Sequence, residues 1–315
     1  MPHLFLIQAH KDPFQISRLV GVLRKGHPTA IVVISQDMRA PALPDALFGD
    51  DPCVHVIQGQ GGRGDFAILD GYLRALRWID EQGFEYDWVT NLSGQDYPVS
   101  SLAAFDRELS ETSADGFLHH FDVLRASSAE MSPMLWPPNY GYNHYYFQYS
   151  KLKDELGDWE RAALALPRLA AERSNSRYRI NTAYGLLLGR RAKCTPFGPD
   201  FKCYGGSYWH TIRRRCVTYL LEFCESRPDV VDYFRNVLIP DESFTQTVLV
   251  NAPGFHFVND NRRYYDMRAS RHGHPKILDA HDETEFLGKN YVFARKFAWQ
   301  SDTALFDRLD RHALR

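Results

Sequence analysis

Cysteine is scarce in this chain. Five residues, Cys53, Cys194, Cys203, Cys216 and Cys224, form no C-x-x-C pair. An odd, scattered set excludes a disulfide scaffold or a zinc ribbon and reads as reduced thiols. No run of about 20 apolar residues is present, so no membrane-spanning helix is expected. Met1 to Ile7 lacks the charged and apolar regions of a secretory leader. The sequence is therefore read as cytoplasmic, with peripheral contact at an inner membrane left open. Excess charge of one sign is missing too: 37 Lys plus Arg against 39 Asp plus Glu leave a net charge of −2. A global basic field that holds nucleic acid is thereby excluded.

What is present is ordinary for a folded α/β chain of 315 residues, with 44% hydrophobic and 24% charged residues. Aromatics reach 14%, which serves a large core and sugar platforms equally. The first 120 residues alternate short apolar runs with amphipathic stretches. Strands are expected at Leu4 to Ala9, Ala30 to Ile34, Val54 to Val56 and Tyr86 to Asn91. Helices are expected from Asp12-Pro13 to Arg24 and from Asp65 to Glu81. This is the signature of an open, mostly parallel sheet covered by helices, which binds ligands beyond the carboxyl ends of its strands. From about 121 to 180 the alternation breaks, and Met131 to Tyr149 is crowded with Pro, Trp and Tyr. The chain is read as one domain over 1–315 with an irregular aromatic-rich insertion at 121–180. A short helix is expected over Leu152 to Leu164, then helices at about 211 to 225, after Pro240 and from Asp302.

Four segments carry candidate chemistry. Asn91-Leu92-Ser93-Gly94-Gln95-Asp96-Tyr97-Pro98 follows a strand and precedes a helix. Its polar side chains suit a ligand loop and equally a rigid turn with Gly94 at a special φ. Pro240-Asp241-Glu242 precedes an apolar helical run. Asp241 reads as its N-cap and Glu242 as a first-turn carboxylate that the helix dipole keeps ionised, a candidate general base. A plain helix start is the ordinary alternative. Phe293-Ala294-Arg295-Lys296-Phe297 sets two cations between aromatic anchors, which suits a diphosphate, although solvated charges are commoner. Lys276 adds a further cation. Gly61-Gly62-Arg63-Gly64 is a weak phosphate-loop signal without the Walker ending. His272 and His274 with His281 and Asp282 form a weak metal-ligand pattern. No D-x-D carboxylate pair and no G-x-S-x-G occurs.

Three of these segments and two others, in family order along the chain, resemble one family together. Asn91–Pro98 looks like the signature of the core-2/I-branching β-1,6-N-acetylglucosaminyltransferases and peptide O-xylosyltransferases, glycosyltransferase family 14. Ala9-His10-Lys11-Asp12-Pro13, Gly205-Gly206-Ser207-Tyr208-Trp209, Pro240-Asp241-Glu242 and Phe293–Phe297 resemble further motifs of that family. The resemblance implies an α/β, Rossmann-like GT-A fold and an inverting transfer from a UDP-sugar, with GlcNAc favoured and xylose second. It implies no metal and no other cofactor. Glu242 inherits the role of general base, and Arg295 and Lys296 inherit neutralisation of the leaving diphosphate, joined by Lys276. Asp37 matches the residue that contacts uracil. His10, Gly94, Gln95 and Asp96 fall in donor-side motifs. Trp136, Tyr142, Trp209 and Asp241 are assigned to the acceptor, a glycan or protein hydroxyl. The competing readings are a non-catalytic nucleotide-sugar or glycan-binding protein, which needs no Glu242, and a glycoside hydrolase, which leaves Arg295 and Lys296 unexplained.

Overall fold

The computed structural model describes every residue except 1, 45–46, 50, 174–175 and 269–273. A seven-stranded sheet is its centre. In spatial order its strands are Phe257–Val258, Gly116–Leu118, His210–Arg213, Trp88–Ser93, His3–Ala9, Ile31–Asp37 and Val54–Gly59. All pairings are parallel except those of His210–Arg213, which runs against both neighbours. This is the mostly parallel, Rossmann-like α/β layering that the resemblance implies.

Alternation along the first strand explains the layers. Leu4 and Leu6 point to one face, into a core shared with the helices Ala67–Glu81, Arg214–Ser226 and Phe244–Val250. Phe5 and Ile7 point to the other, into a core with Pro13–Gly26, Leu102–Glu111 and Thr303–Ala313. All four are fully buried, each stabilising the fold by about 1.5–3 kcal/mol relative to exposure. The helices expected to start at Asp12 and Asp302 do so, and the structure makes both residues caps: their carboxylates accept from the backbone N–H of Gln15 and Leu305.

Residues 121–180 are not irregular throughout. Phe147–Lys153 begins an antiparallel three-stranded sheet with Leu186–Arg191 and Tyr178–Asn181. The expected helix at Leu152 to Leu164 starts later, at Asp158, and runs to Arg173, because Leu152 belongs to the strand. Pro167 lies inside that helix without ending it.

A second small sheet matters for the site. Phe293–Arg295 pairs parallel with Arg263–Tyr265 and antiparallel with Asp96–Pro98, so Tyr265, Arg295 and Asp96 stand in cross-strand register. No described helix is long and apolar enough to cross a membrane.

Candidate active site

A cavity of about 1100 Å³ opens where the parallel strands end. Gln8, Ser35, Asp37 and Ser93 reach it from three strand ends, and Gly61–Gly64 from the loop after a fourth. Of the candidate residues, His10, Asp37, Gln95, Trp136, Trp209, Asp241, Glu242, Arg295 and Lys296 line it.

The loop 91–98 is a braced turn that brings Ser93 and Gln95 to the cavity. The Ser93 backbone N–H and hydroxyl both donate to Asp96 Oδ2. Buried Asn91 donates to the Tyr208 carbonyl at 3.1 Å and accepts from the His210 N–H at 2.7 Å. Gly94 takes no left-handed φ; glycine is needed because a Cβ there would press on Ile16. Asp96 and Gly94 thus shape the turn, and Gln95 faces the cavity. Gln15, on the first helix, staples this turn to the C-terminal motif. It donates to the Gly94 and Phe297 carbonyls and accepts from the Trp299 N–H.

At one end of the cavity, Asp37 is gripped by Arg39, whose guanidinium donates to both carboxylate oxygens at 3.0–3.1 Å. These bonds hold Asp37 below the usual carboxylate range. Gly61 packs so close that a Cβ would collide with this carboxylate.

Beside it lies a cluster of cations. Burial lowers the Lys296 ammonium's pKa, and repulsion from Lys11, Arg295 and Arg63 lowers it further. His10 is lowered by burial and then by Lys11 and Lys296. The Arg295 guanidinium lies over the Trp209 ring at 4.3 Å, so Trp209, expected at the acceptor, carries a cation. Fully buried Arg263 stands behind, donating to the Asn91 carbonyl at 2.8 Å. Lys276 is outside the cavity lining, in an ion pair with Asp282 at 2.6 Å. Tyr142 also lies outside it, stacked on Tyr146. His272 lies outside the described residues, and His274 lines the cavity.

Glu242 faces the same cavity, in a setting that corrects the sequence expectation. Pro240–Glu242 is a single 3-10 turn, and the helix begins only at Phe244. Asp241 therefore caps nothing, and no helix dipole acts on Glu242 as an N1 residue. Burial, reinforced by the charge of Asp241, raises the Glu242 carboxyl well above the carboxylate range. The Trp136 indole N–H and the charge of Arg295 oppose the rise. Asp241 is raised as well, first by burial. A carboxyl lifted in this way is a stronger base than an exposed one, which suits it to take a proton from a hydroxyl.

The turn is pinned from several sides. Ile239, a β-branched residue, sits at φ 48°, ψ 54°, in the left-handed region. Its N–H donates to the Gly64 carbonyl at 3.0 Å and its carbonyl accepts from the Tyr145 hydroxyl at 3.1 Å. The Gly206 N–H donates to the Glu242 carbonyl at 2.9 Å. A Cβ on Gly205 would strike the Trp136 ring, and one on Gly206 the His119 carbonyl. Both glycines are thus set by close approach. Strain of this kind, held by surrounding bonds, clusters at functional sites.

Sequence reasoning passed over Lys11 and Arg63 as site residues, although both lie in motifs it quoted. It also missed Tyr140, Tyr184 and Tyr265, which share the cavity with Glu242. Only their aromatic richness signalled them.

No family model matches the chain. It is similar to two curated proteins of Arabidopsis thaliana, the beta-glucuronosyltransferases GlcAT14A and GlcAT14B. Each is 24% identical, over 245 and 251 residues, covering 77% of this chain and 46% and 47% of theirs. The chain spans about half the length of these relatives. An LgtC active-site mutant aligns over 98% of this chain and 95% of its own at 12% identity, with a TM-score of 0.36, too low to carry an argument. The sequence relatives are glycosyltransferases by name, and the cavity brings together in one place the segments that carry the family 14 resemblance.

Proposed function

We propose that the chain is an inverting, metal-independent glycosyltransferase of GT-A type that moves a sugar from a UDP-sugar to a hydroxyl of a glycan or protein. The observation that carries this reading is the shared cavity: the raised carboxyl of Glu242 and the cations Arg63, Arg295 and Lys296 face the same space, with the charge of Lys11 acting on Lys296 from beside it. Asp37, with its carboxylate held ionised by Arg39, suits the imide N–H of uracil. The cations suit the diphosphate.

In this mechanism ionised Glu242 accepts the proton of the acceptor hydroxyl. The oxygen forms its bond to the anomeric carbon from the face opposite UDP. The bond from that carbon to the diphosphate oxygen breaks, and its electron pair stays on the phosphate. The cations stabilise the charge that develops there. Each cation–phosphate pair at about 4 Å contributes at most about 4 kcal/mol at an effective dielectric near 20. They take the part that a carboxylate-bound metal plays elsewhere, in keeping with the missing D-x-D. GlcNAc is the favoured sugar and xylose the second. The names of the plant relatives add glucuronate to the donors worth testing. A product for surface polysaccharide or glycoconjugate synthesis fits a chain of this kind.

The test is calorimetric and thermal-shift binding of UDP, UDP-GlcNAc, UDP-xylose and UDP-glucuronate, with EDTA and with Mn²⁺, on the wild type and Glu242→Gln. UDP is expected to raise Tm in EDTA. The variant is expected to bind UDP unchanged and to lose transfer. Absence of UDP binding in both conditions overturns the proposal. Unchanged transfer in Glu242→Gln removes Glu242 as the base.

A further inference from the structure

The helix Asp158–Arg173 stands almost wholly in solvent. Two arginines that themselves stay exposed tie it to its surroundings: Arg161 donates to the Leu156 and Thr182 carbonyls, and Arg168 to the Thr182 hydroxyl. The Ala171 carbonyl accepts from buried Arg179. At helical spacing the opposite stripe is Trp159, Ala162, Ala163, Leu166, Leu169 and Ala170, every one exposed. Trp159 is 76% and Leu166 78% exposed, the two highest values among the large apolar side chains described. The adjoining three-stranded sheet exposes Leu152, Tyr178 and Leu188 as well. Soluble chains rarely gather exposed apolar groups in this way without a partner.

Charge identifies the partner. From Arg173 to Pro199 the sequence has six cations and no acidic residue. Arg177, Arg190 and Lys193 are exposed, and register places them at one end of the small sheet. Arg190 pairs with Tyr178, and the Arg191 N–H donates to the Arg177 carbonyl. Of the acidic residues of this unit, Asp154, Glu155 and Asp158 lie at the entry to the helix, which the register of Leu186 with Lys153 puts at the sheet's other end, and Glu160 and Glu172 are paired with Lys153 and Arg168. The stripe is also too small for a stable protein interface. A 16-residue helix is about 24 Å long and about 10 Å wide. It therefore offers roughly 240 Å², against about 800 Å² per partner in a stable complex.

We propose that this face docks on an anionic lipid surface. Trp159 and Leu166 enter the headgroup boundary, and Arg177, Arg190 and Lys193 face the phosphates. The inference concerns membrane attachment and stands apart from the transferase reading.

The test uses the whole chain in flotation with vesicles of phosphatidylcholine, alone or with roughly one third phosphatidylglycerol. Wild type is expected to float with the anionic vesicles only, and less at high salt. The double variant Trp159→Asp, Leu166→Asp is expected to lose at least about tenfold in partitioning. Arg190→Ala and Lys193→Ala are expected to lose about fivefold each at low salt. UDP binding and Tm are read on every variant to confirm the fold. Wild type that stays at the bottom of the gradient with anionic vesicles overturns the proposal, as does equal flotation of the double variant. A concentration-dependent dimer in sedimentation, broken by the same double variant, assigns the face to a second copy and also overturns it.

Discussion

The indole N–H of Trp136 stands by the carboxyl of Glu242 and opposes the rise that burial imposes on it. Trp136 was expected as acceptor wall, and the contact gives it a second task, since a donor to a carboxylate favours the ionised form. Removing the donor raises the carboxyl further. In Trp136→Phe the acidic limb of the pH–kcat/KM profile is expected to move to higher pH, with a loss of about tenfold at pH values below the new limb. The wild-type limb is itself expected well above the ordinary carboxylate range, because activity requires Glu242 ionised and falls as pH drops through its raised pKa. A profile that Trp136→Phe leaves in place removes this role.

Gly206 should tolerate no side chain. Its N–H holds the Glu242 carbonyl, and a Cβ would meet the His119 carbonyl. Gly206→Ala must push the Pro240–Glu242 turn away from the cavity. Displacement of a catalytic group by about 1 Å can cost about a hundredfold. The expected result is a collapse of kcat with UDP affinity nearly unchanged, read by single-turnover kinetics and calorimetry.

Lys296 is held among like charges, so removing it relieves repulsion in the free protein and weakens the diphosphate complex. Lys296→Ala is expected to lower UDP affinity about tenfold or more, without lowering the Tm of the unliganded chain. The salt dependence of UDP binding should become shallower in parallel. A variant that loses Tm and affinity together would mark Lys296 as a structural residue.

Acid should unfold the chain through buried histidines. Burial lowers His3 and His144 to about 4 and His210 to about 3. His210 accepts from the Tyr72 hydroxyl and donates through Nδ1 to the Tyr208 carbonyl, an arrangement only the neutral ring satisfies. The unfolded chain protonates these rings near pH 6.5, so stability is full above that pH and lost as pH falls toward 4. Each ring contributes a slope of about 1.4 kcal/mol per pH unit in that window. Urea unfolding across pH 7 to 4 measures the slope, and His210→Gln is expected to reduce it by about one proton.

The parallel core was legible in the sequence because its strands are buried on both faces and read as unbroken apolar runs, as in Ile31-Val32-Val33-Ile34. Helix starts at Asp12 and Asp302 were legible because capping is local chemistry. The segment 121–180 was not. Its strands, such as Phe147–Lys153, bury one short stretch and then turn polar, and its helix is exposed almost all round, so neither shows the usual periodicity. Glu242 lines the cavity, in a setting that the local sequence misdescribes. The local sequence suggests a helix start, while the carboxyl's character comes first from burial and then from neighbouring Asp241, opposed by Trp136 and Arg295, which are more than fifty residues away. Tyr142 and Tyr140 are indistinguishable in sequence, yet only Tyr140 lines the cavity. Two residues of difference on a short helix decide which ring turns inward.

The strand His210–Arg213 runs against its neighbours, and this sets where the chain can change length. The parallel strands leave the sheet at the cavity, whereas Gly205–Trp209 arrives there and then enters the sheet. An inserted residue in the exposed stretch before Tyr204 can be taken up as extra loop. One inserted after Trp209 would shift the strand by one position and turn each of its side chains to the opposite face, against Thr90 and Phe117. Natural or engineered variants should therefore gain and lose residues freely before Tyr204 and keep the spacing from Gly205 to Arg213 constant.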